Sequence, residues 1–209
     1  MPDGTAEVRQ GRKFNQVVEG ATEIFLTVGF ERASVDDIAK RAGVSKATLY
    51  SYFPDKRLLF VEVMKRECEG RAKAAEAFID KSMPPEVVLP LAGRIILDIM
   101  LSPFGQQSFR VSIAESGNFK ELGQQLYDAG PGLIESELTP YFEVAEARGE
   151  LSIPDKRLAA HQFAELNKAY LFPRKSLHLQ ETFTTEEKEA VINGAVEMFL
   201  ARYGTASRR

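Results

Sequence analysis

The segment Lys46-Ala47-Thr48-Leu49-Tyr50-Ser51-Tyr52 gathers an ammonium, two aliphatic hydroxyls and two phenols around a single small residue, Ala47. These groups bond phosphate oxygens and base edges, and a threonine can also rest its methyl on a thymine. Leu49 and Phe53 are four apart, so on a helix they share an inward face. Lys46, Ala47, Thr48, Tyr50, Ser51 and Tyr52 are then left for solvent or for a polynucleotide. Two tyrosines on the open side of so short a helix are unexpected where a surface meets only water. The chemistry indicated is nucleic-acid recognition. The rival is a packed helical subdomain with no such role, and it is disfavoured because turn, caps, tyrosines and charge agree.

Such a helix must be held by its neighbours. Ser34-Val35-Asp36-Asp37 starts a helix with a capping serine and an acid three residues on. That helix carries Ile38 and Ala39 inward and ends at Ala42-Gly43, where glycine accepts positive φ without steric cost. Ser45 caps the next, short helix from Lys46 to Tyr52. Two short helices joined by a tight turn form a helix-turn-helix, whose second helix enters the major groove. Upstream, Val17, Val18, Ala21, Ile24, Phe25 and Val28 recur at helical spacing, Gly29 stops that helix and Phe30 folds back on it. Gly20, inside it, marks a place where another helix passes closely. Phe53-Pro54-Asp55 ends the third helix, and Asp55 caps a fourth bearing Leu58, Leu59, Val61, Val63 and Met64.

The net charge of −3 is no objection to a polyanionic partner. Between 40 and 57 stand Lys40, Arg41, Lys46, Lys56 and Arg57 against Asp55 alone, so the positive charge is local. Other chemistries find little support. Cys68 stands between Glu67 and Glu69, and carboxylate neighbours disfavour a thiolate. His161 and His178 have no companions at metal-ligand spacing. No nucleophile motif surrounds Ser112 or Ser116, and no glycine-rich phosphate loop is present. Neither a catalytic activity, a cofactor nor a metal is expected. The absence of a long apolar run and of a secretory signal, with one cysteine, suits a cytoplasmic protein with no membrane partner.

The fold class expected is all-α, with about nine helices: a helix-turn-helix domain over 9–55 and a larger helical domain over 56–204. After Met83-Pro84-Pro85 a helix runs from Pro85 to Leu101 and another over 106–115. Asn118-Phe119-Lys120-Glu121 reads as a capped start. Gly130-Pro131-Gly132 is expected to break or kink that pattern before Leu133–Arg148, and Gly149 stops it. A further helix spans Pro154 to Phe172, and Thr184 to Glu187 is a capping box for the last, which ends near Tyr203. The ends, 1–8 and 205–209, are expected to be loose. Ile96, Met100, Phe109, Arg110, Tyr127, Tyr141 and Phe163 are candidates for lining an apolar effector cavity between helices. Arg110 is expected to pair with Glu115 ahead of the alternative, an acidic effector. Phe163, Leu166, Tyr170, Val191, Ile192, Ala195 and Phe199 form wide apolar stripes on the last two helices and suggest a second subunit as partner.

The stretch from Gly29-Phe30 through Ser34-Val35-Asp36-Asp37-Ile38-Ala39-Lys40-Arg41-Ala42-Gly43-Val44-Ser45 to Tyr50-Ser51-Tyr52-Phe53-Pro54-Asp55-Lys56-Arg57-Leu58-Leu59 closely resembles the TetR/AcrR family of repressors. Tyr127-Asp128-Ala129-Gly130-Pro131 and Ala145-Glu146-Ala147-Arg148-Gly149-Glu150-Leu151 resemble the C-terminal domain of its AefR-like branch. Gly20 stands where that family commonly has alanine. The resemblance implies a homodimeric repressor that reads a near-palindromic operator and is released by a small apolar effector. A transcriptional activator or an architectural DNA-binding protein of the same fold is the alternative. By position it implies that Lys46, Ala47, Thr48 and Tyr50 approach bases. Ser34, Tyr50, Tyr52 and Lys56 contact phosphates, with Ser45 as cap and potential donor. It also implies that the last two helices of each subunit form the dimer interface.

Overall fold

The computed structural model describes residues 11–76, 80–117 and 120–205. Eleven helices are described: α1 Arg12–Val28, α2 Val35–Ala42, α3 Lys46–Tyr52, α4 Lys56–Glu76, α5 Pro85–Leu101, α6 Pro103–Ser116, α7 Lys120–Ala129, α8 Pro131–Ala147, α9 Lys156–Lys168, α10 Leu171–Ser176 and α11 Thr185–Tyr203. No strand is described beyond one isolated bridge, Leu151 to Gly204. Among the described residues no single helix is long and apolar enough to cross a membrane.

Local signals set most of these boundaries. α1 buries Phe14, Val17, Val18, Ala21 and Phe25 along one face. It stops at Gly29, whose φ of 86° favours glycine and whose N–H reaches the Phe25 carbonyl at 3.0 Å. Phe30 then returns onto Phe25 and Phe60, with ring centroids 5.9 and 5.1 Å away. Ser34, Ser45 and Asp155 each accept a backbone N–H from the first turn of α2, α3 and α9. Asp55 accepts the Arg57 N–H at the start of α4. Thr184 and Glu187 complete a reciprocal capping box on α11.

Two apolar clusters hold the chain. The first joins α1 to α4 with Phe104 and Val111 of α6 and Leu126 and Ala129 of α7. The second joins α5 with α8 to α11, around Phe142, Phe163, Phe199 and Tyr203. Each such aromatic, fully buried, contributes about 1.5–3 kcal/mol. Only α4, α6 and α7 carry the first cluster beyond Asp55, and through them the later helices (the body) reach into α1 to α3 (the head).

The helix count exceeds nine for two physical reasons. Pro131 opens a new helix, α8, after Gly130. The expected helix from Pro154 to Phe172 is two: it starts at Lys156 and breaks at Ala169-Tyr170, where Tyr170 has φ 67°. Pro173 has no N–H to return to Ala169, so a continuous helix would lose that bond. The break turns Leu171 and Phe172 inward. α6 begins three residues earlier than expected, at Pro103, because the Ser102 hydroxyl accepts the Gly105 N–H at 3.0 Å. Thr205 is held rather than loose. Its N–H reaches Glu150 at 3.2 Å and its hydroxyl reaches Gly149 at 2.7 Å. The expectations for 1–8, 206–209 and the Asn118-Phe119 cap lie outside the described residues.

Gly20 is where α2 crosses α1: a Cβ added there would stand 2.9 Å from the Ala42 nitrogen. In Gly20→Ala, the helix-propensity gain of about 1 kcal/mol opposes an overpacking cost of about 1–3 kcal/mol. The expected outcome in urea denaturation is a net loss of stability on the order of 1 kcal/mol.

Candidate nucleic-acid interface

α3 is placed by its apolar side. Leu49 is fully buried, and Phe14 packs on Phe53 and Tyr52 at 5.1 and 5.7 Å between centroids. What remains outside is a compact polar surface. Ser45, Lys46, Ala47, Tyr50 and Ser51 are exposed, Thr48 is half-buried, and Tyr50 keeps 47% of its surface. Ser45 Oγ accepts the Thr48 N–H at 3.1 Å and lies 2.9 Å from the Thr48 hydroxyl. The two hydroxyls therefore sit side by side at the open N-terminus of α3, where backbone N–H groups favour an anion. Ser34 Oγ accepts the Asp37 N–H at 3.0 Å and donates to the Asp37 carboxylate at 2.5 Å.

The basic cluster is more internally engaged than charge counting indicates. Lys46 pairs with Asp36 of α2, and Arg41 pairs with Glu23 of α1. Both pairs are exposed, so each is worth about 0–1 kcal/mol and yields readily to a phosphate. Arg57 lies on Asp55 at 3.0 Å and on Glu115 of α6 at 3.5 Å, and its hydrogen bond holds the Asp55 carboxyl below the usual carboxylate range.

Two expected phosphate contacts are placed otherwise. Lys56 turns inward: its ammonium donates to the Phe30 and Ala33 carbonyls at 2.9 and 3.1 Å and stands 4.4 Å from the centre of the Phe30 ring. It ties down the loop between α1 and α2, because those carbonyls have no helical partner. Tyr52 is half-buried, edge-on to Phe14, and only part of it faces out.

Behind the head, a cavity of about 400 Å³ opens between α4, α5 and α8. Of the residues expected to line it, Ile96, Met100 and Tyr141 do so, joined by Cys68, Lys81 and Glu137. Burial pushes the Tyr141 phenol up, and it donates to the Met83 carbonyl at 3.1 Å. The other four expected lining residues are elsewhere. Phe109 is on the surface against Phe172. Arg110 is exposed and does not meet Glu115, whose carboxylate is 3.5 Å from Arg57 instead. Tyr127 meets His161 at 3.0 Å on the outside, and Phe163 is fully buried in the second cluster.

The expected dimer stripe divides in the same way. Phe163, Ile192, Ala195 and Phe199 are interior residues of one subunit. Leu166 and Val191 are half-buried and Tyr170 is exposed. On the same two helices Leu158 and Met198 are 51% and 55% exposed. A helix whose neighbours are unknown shows its apolar width but not which part its own subunit covers.

Sequence reasoning missed Gln107. In the amide orientation its neighbours require, it donates to the Phe25 carbonyl at 3.0 Å and accepts the Phe30 N–H, closing the end of α1 from α6. Beside it, Gln106 donates to the Met100 carbonyl at 2.7 Å and accepts from Ser176 of α10 at 2.9 Å. The available signal was a polar run, Gln106-Gln107-Ser108, between Phe104 and Phe109.

Residues 17–63 match the family model for bacterial regulatory proteins of the tetR family, and residues 87–205 match the model for the C-terminal domain of AefR-like transcriptional repressors. The chain belongs to the TetR family. The HTH-type transcriptional activator FasR of Mycolicibacterium smegmatis is 41% identical over 55 residues, which is 26% of this chain and 25% of FasR. The chain spans between a quarter and two fifths of the length of the curated relatives it matches. Solved structures cover more. A TetR-family transcriptional regulator of Mesorhizobium loti superposes with a TM-score of 0.79 at 27% identity, covering 95% of this chain and all of the other. The flavonoid-responsive regulator FrrA gives a TM-score of 0.71 at 32% identity, covering 94% and 99%.

In this TetR-family head, Lys56→Met keeps the stem over Phe30 and leaves two loop carbonyls without their donor. Stability should fall by about 1–3 kcal/mol in urea denaturation, with or without DNA.

Proposed function

We propose that this protein is a homodimeric, sequence-specific DNA-binding transcriptional regulator of the cytoplasm, a repressor released by a small apolar effector and performing no catalytic step. The observation that carries the reading is the exposed polar face of α3, held rigidly by Leu49 on a core that α4 shares with the cavity wall. Residues 9–55 would grip DNA, and 56–204 would hold the effector and the second subunit. Lys46, Ala47, Thr48 and Tyr50 are suited to base edges. Ser34, Ser45 and Tyr50 are suited to phosphates, with Tyr52 a lesser contributor and Lys56 a brace for the loop.

Two heads must present α3 roughly 34–36 Å apart, one DNA turn, or at a larger matched spacing, which makes a near-palindromic operator the natural target. The subunit contact is best sought on the outer faces of α9 and α11, through Leu158, Leu166, Val191 and Met198, with Tyr170 in the break after α9. An effector acts only by preferring one head separation over another. The route is short: α4 puts Leu59, Phe60, Val63 and Met64 in the head core and Cys68 on the cavity wall. That FrrA is flavonoid-responsive supports a small-molecule effector of limited polarity. FasR, an activator, matches over 55 residues, 26% of this chain and 25% of FasR, so its sign of regulation does not carry over.

Lys46→Ala combined with Tyr50→Ala should leave the fold intact and weaken operator binding by at least roughly ten-fold, since each base or phosphate contact carries about 1 kcal/mol or more. An unchanged affinity in a folded dimer would remove α3 as the reading helix. Affinity should also fall steeply with salt, by about 0.9 counterion per phosphate contact on a log–log plot. Leu158→Glu combined with Met198→Glu should give folded monomers in sedimentation equilibrium and poor operator binding. A stable dimer from that variant would place the interface on another face.

A further inference from the structure

The cavity between α4, α5 and α8 is walled mostly by aliphatic side chains, yet a carboxylate stands among them. Glu137, on α8, is half-buried and has no ion-pair or hydrogen-bond partner among the described residues. Its companions on the wall give it nothing. Ile134 and Leu138 are apolar, the Tyr141 hydroxyl is committed to the Met83 carbonyl, and Lys81, exposed on the same wall, makes no ion pair with Glu137. Water answers this carboxylate when the cavity is empty. An occupant that fills the space displaces that water, and a hydrocarbon surface or an anion returns no hydrogen bond for it. A buried charge left unanswered in this way is costly, whereas a donor on a charged acceptor makes one of the stronger hydrogen bonds available.

We infer that the cavity takes an apolar molecule bearing a hydrogen-bond donor, a hydroxyl or a protonated amine, and that Glu137 selects this class by accepting that donor. The inference rests on reading the cavity as the effector site. Both sources share one chemistry, donation to the carboxylate, and the ammonium adds charge to it.

The test uses the full chain and four probes of one shape: naphthol, naphthylmethylamine, methylnaphthalene and naphthoate. Dissociation constants are measured by calorimetry without DNA, and operator affinity is measured separately. Naphthol and naphthylmethylamine should bind roughly ten-fold or more tightly than methylnaphthalene, with naphthoate weakest. Glu137→Leu should abolish the preference for donors and leave methylnaphthalene binding at least as well as before. Glu137→Gln, which keeps an uncharged acceptor, should reduce the advantage of the amine more than that of naphthol. The better of the two donors names the source. Methylnaphthalene or naphthoate matching the donors, a preference that survives Glu137→Leu, or no donor binding at millimolar concentration overturns the inference. Donors that bind through Glu137 yet leave operator affinity unchanged keep it and remove the release mechanism. Equal operator release by methylnaphthalene, in wild type and in Glu137→Leu, removes the inference and keeps that mechanism.

Discussion

The burial of one face of α4 is the constraint on which the rest depends. Leu59, Phe60 and Val63 are buried to the last few per cent and fill the space that α1, α2 and α3 leave between them. Three helices of seventeen, eight and seven residues have too little mutual surface to hold a fixed angle alone. Phe60 meets Phe25, Phe30 and Phe104, so one ring touches the first helix, the loop after it and the body. The same helix continues to Cys68 on the cavity wall. Head and cavity are therefore parts of one packing problem. Close-packed interiors transmit displacement because they hold no slack to absorb it.

Polar contacts reinforce this joint from α6. Gln107 closes the end of α1 while Gln106, its neighbour, ties the end of α5 and the side of α10. Arg57, at the start of α4, reaches Glu115 near the end of α6. Lys56, one residue earlier, holds the carbonyls of Phe30 and Ala33. A shift of α4 or α6 therefore meets specific hydrogen bonds at both ends of the head. Such bonds are made or broken as units, which favours two discrete arrangements over a continuum.

Features that depend on near neighbours in the chain were legible. The apolar spacing of α1, the caps Ser34, Ser45, Asp55 and Thr184, and the stops Gly29 and Gly43 act within a turn or two, and the structure has each where the sequence indicates. Gly20 was legible too, because a glycine inside a good helix asks for a reason, and Ala42 is that reason. Lys56, Arg110 and Phe163 were not. Each is a side chain with two plausible surroundings. A lysine beside a recognition helix suits a phosphate or a loop carbonyl, and a phenylalanine on a wide apolar stripe suits a core or an interface.

The sequence by itself determined that the chain is helical, where most of its helices begin and end, and that a capped seven-residue helix presents hydroxyls, phenols and a cation together. Periodicity and capping are local energies, so they can be read without knowing what lies across the fold. Only the tertiary structure decided which part of each apolar stripe its own subunit covers, which cations are already spent, and that Glu137 stands on the wall of a largely aliphatic cavity with no partner among the described residues. Those outcomes depend on contacts between separate helices, which reach a separation of 95 residues in the pairing of Arg94 with Glu189 at 2.7 Å. The spacing of letters along a chain does not encode the angle at which two such helices meet.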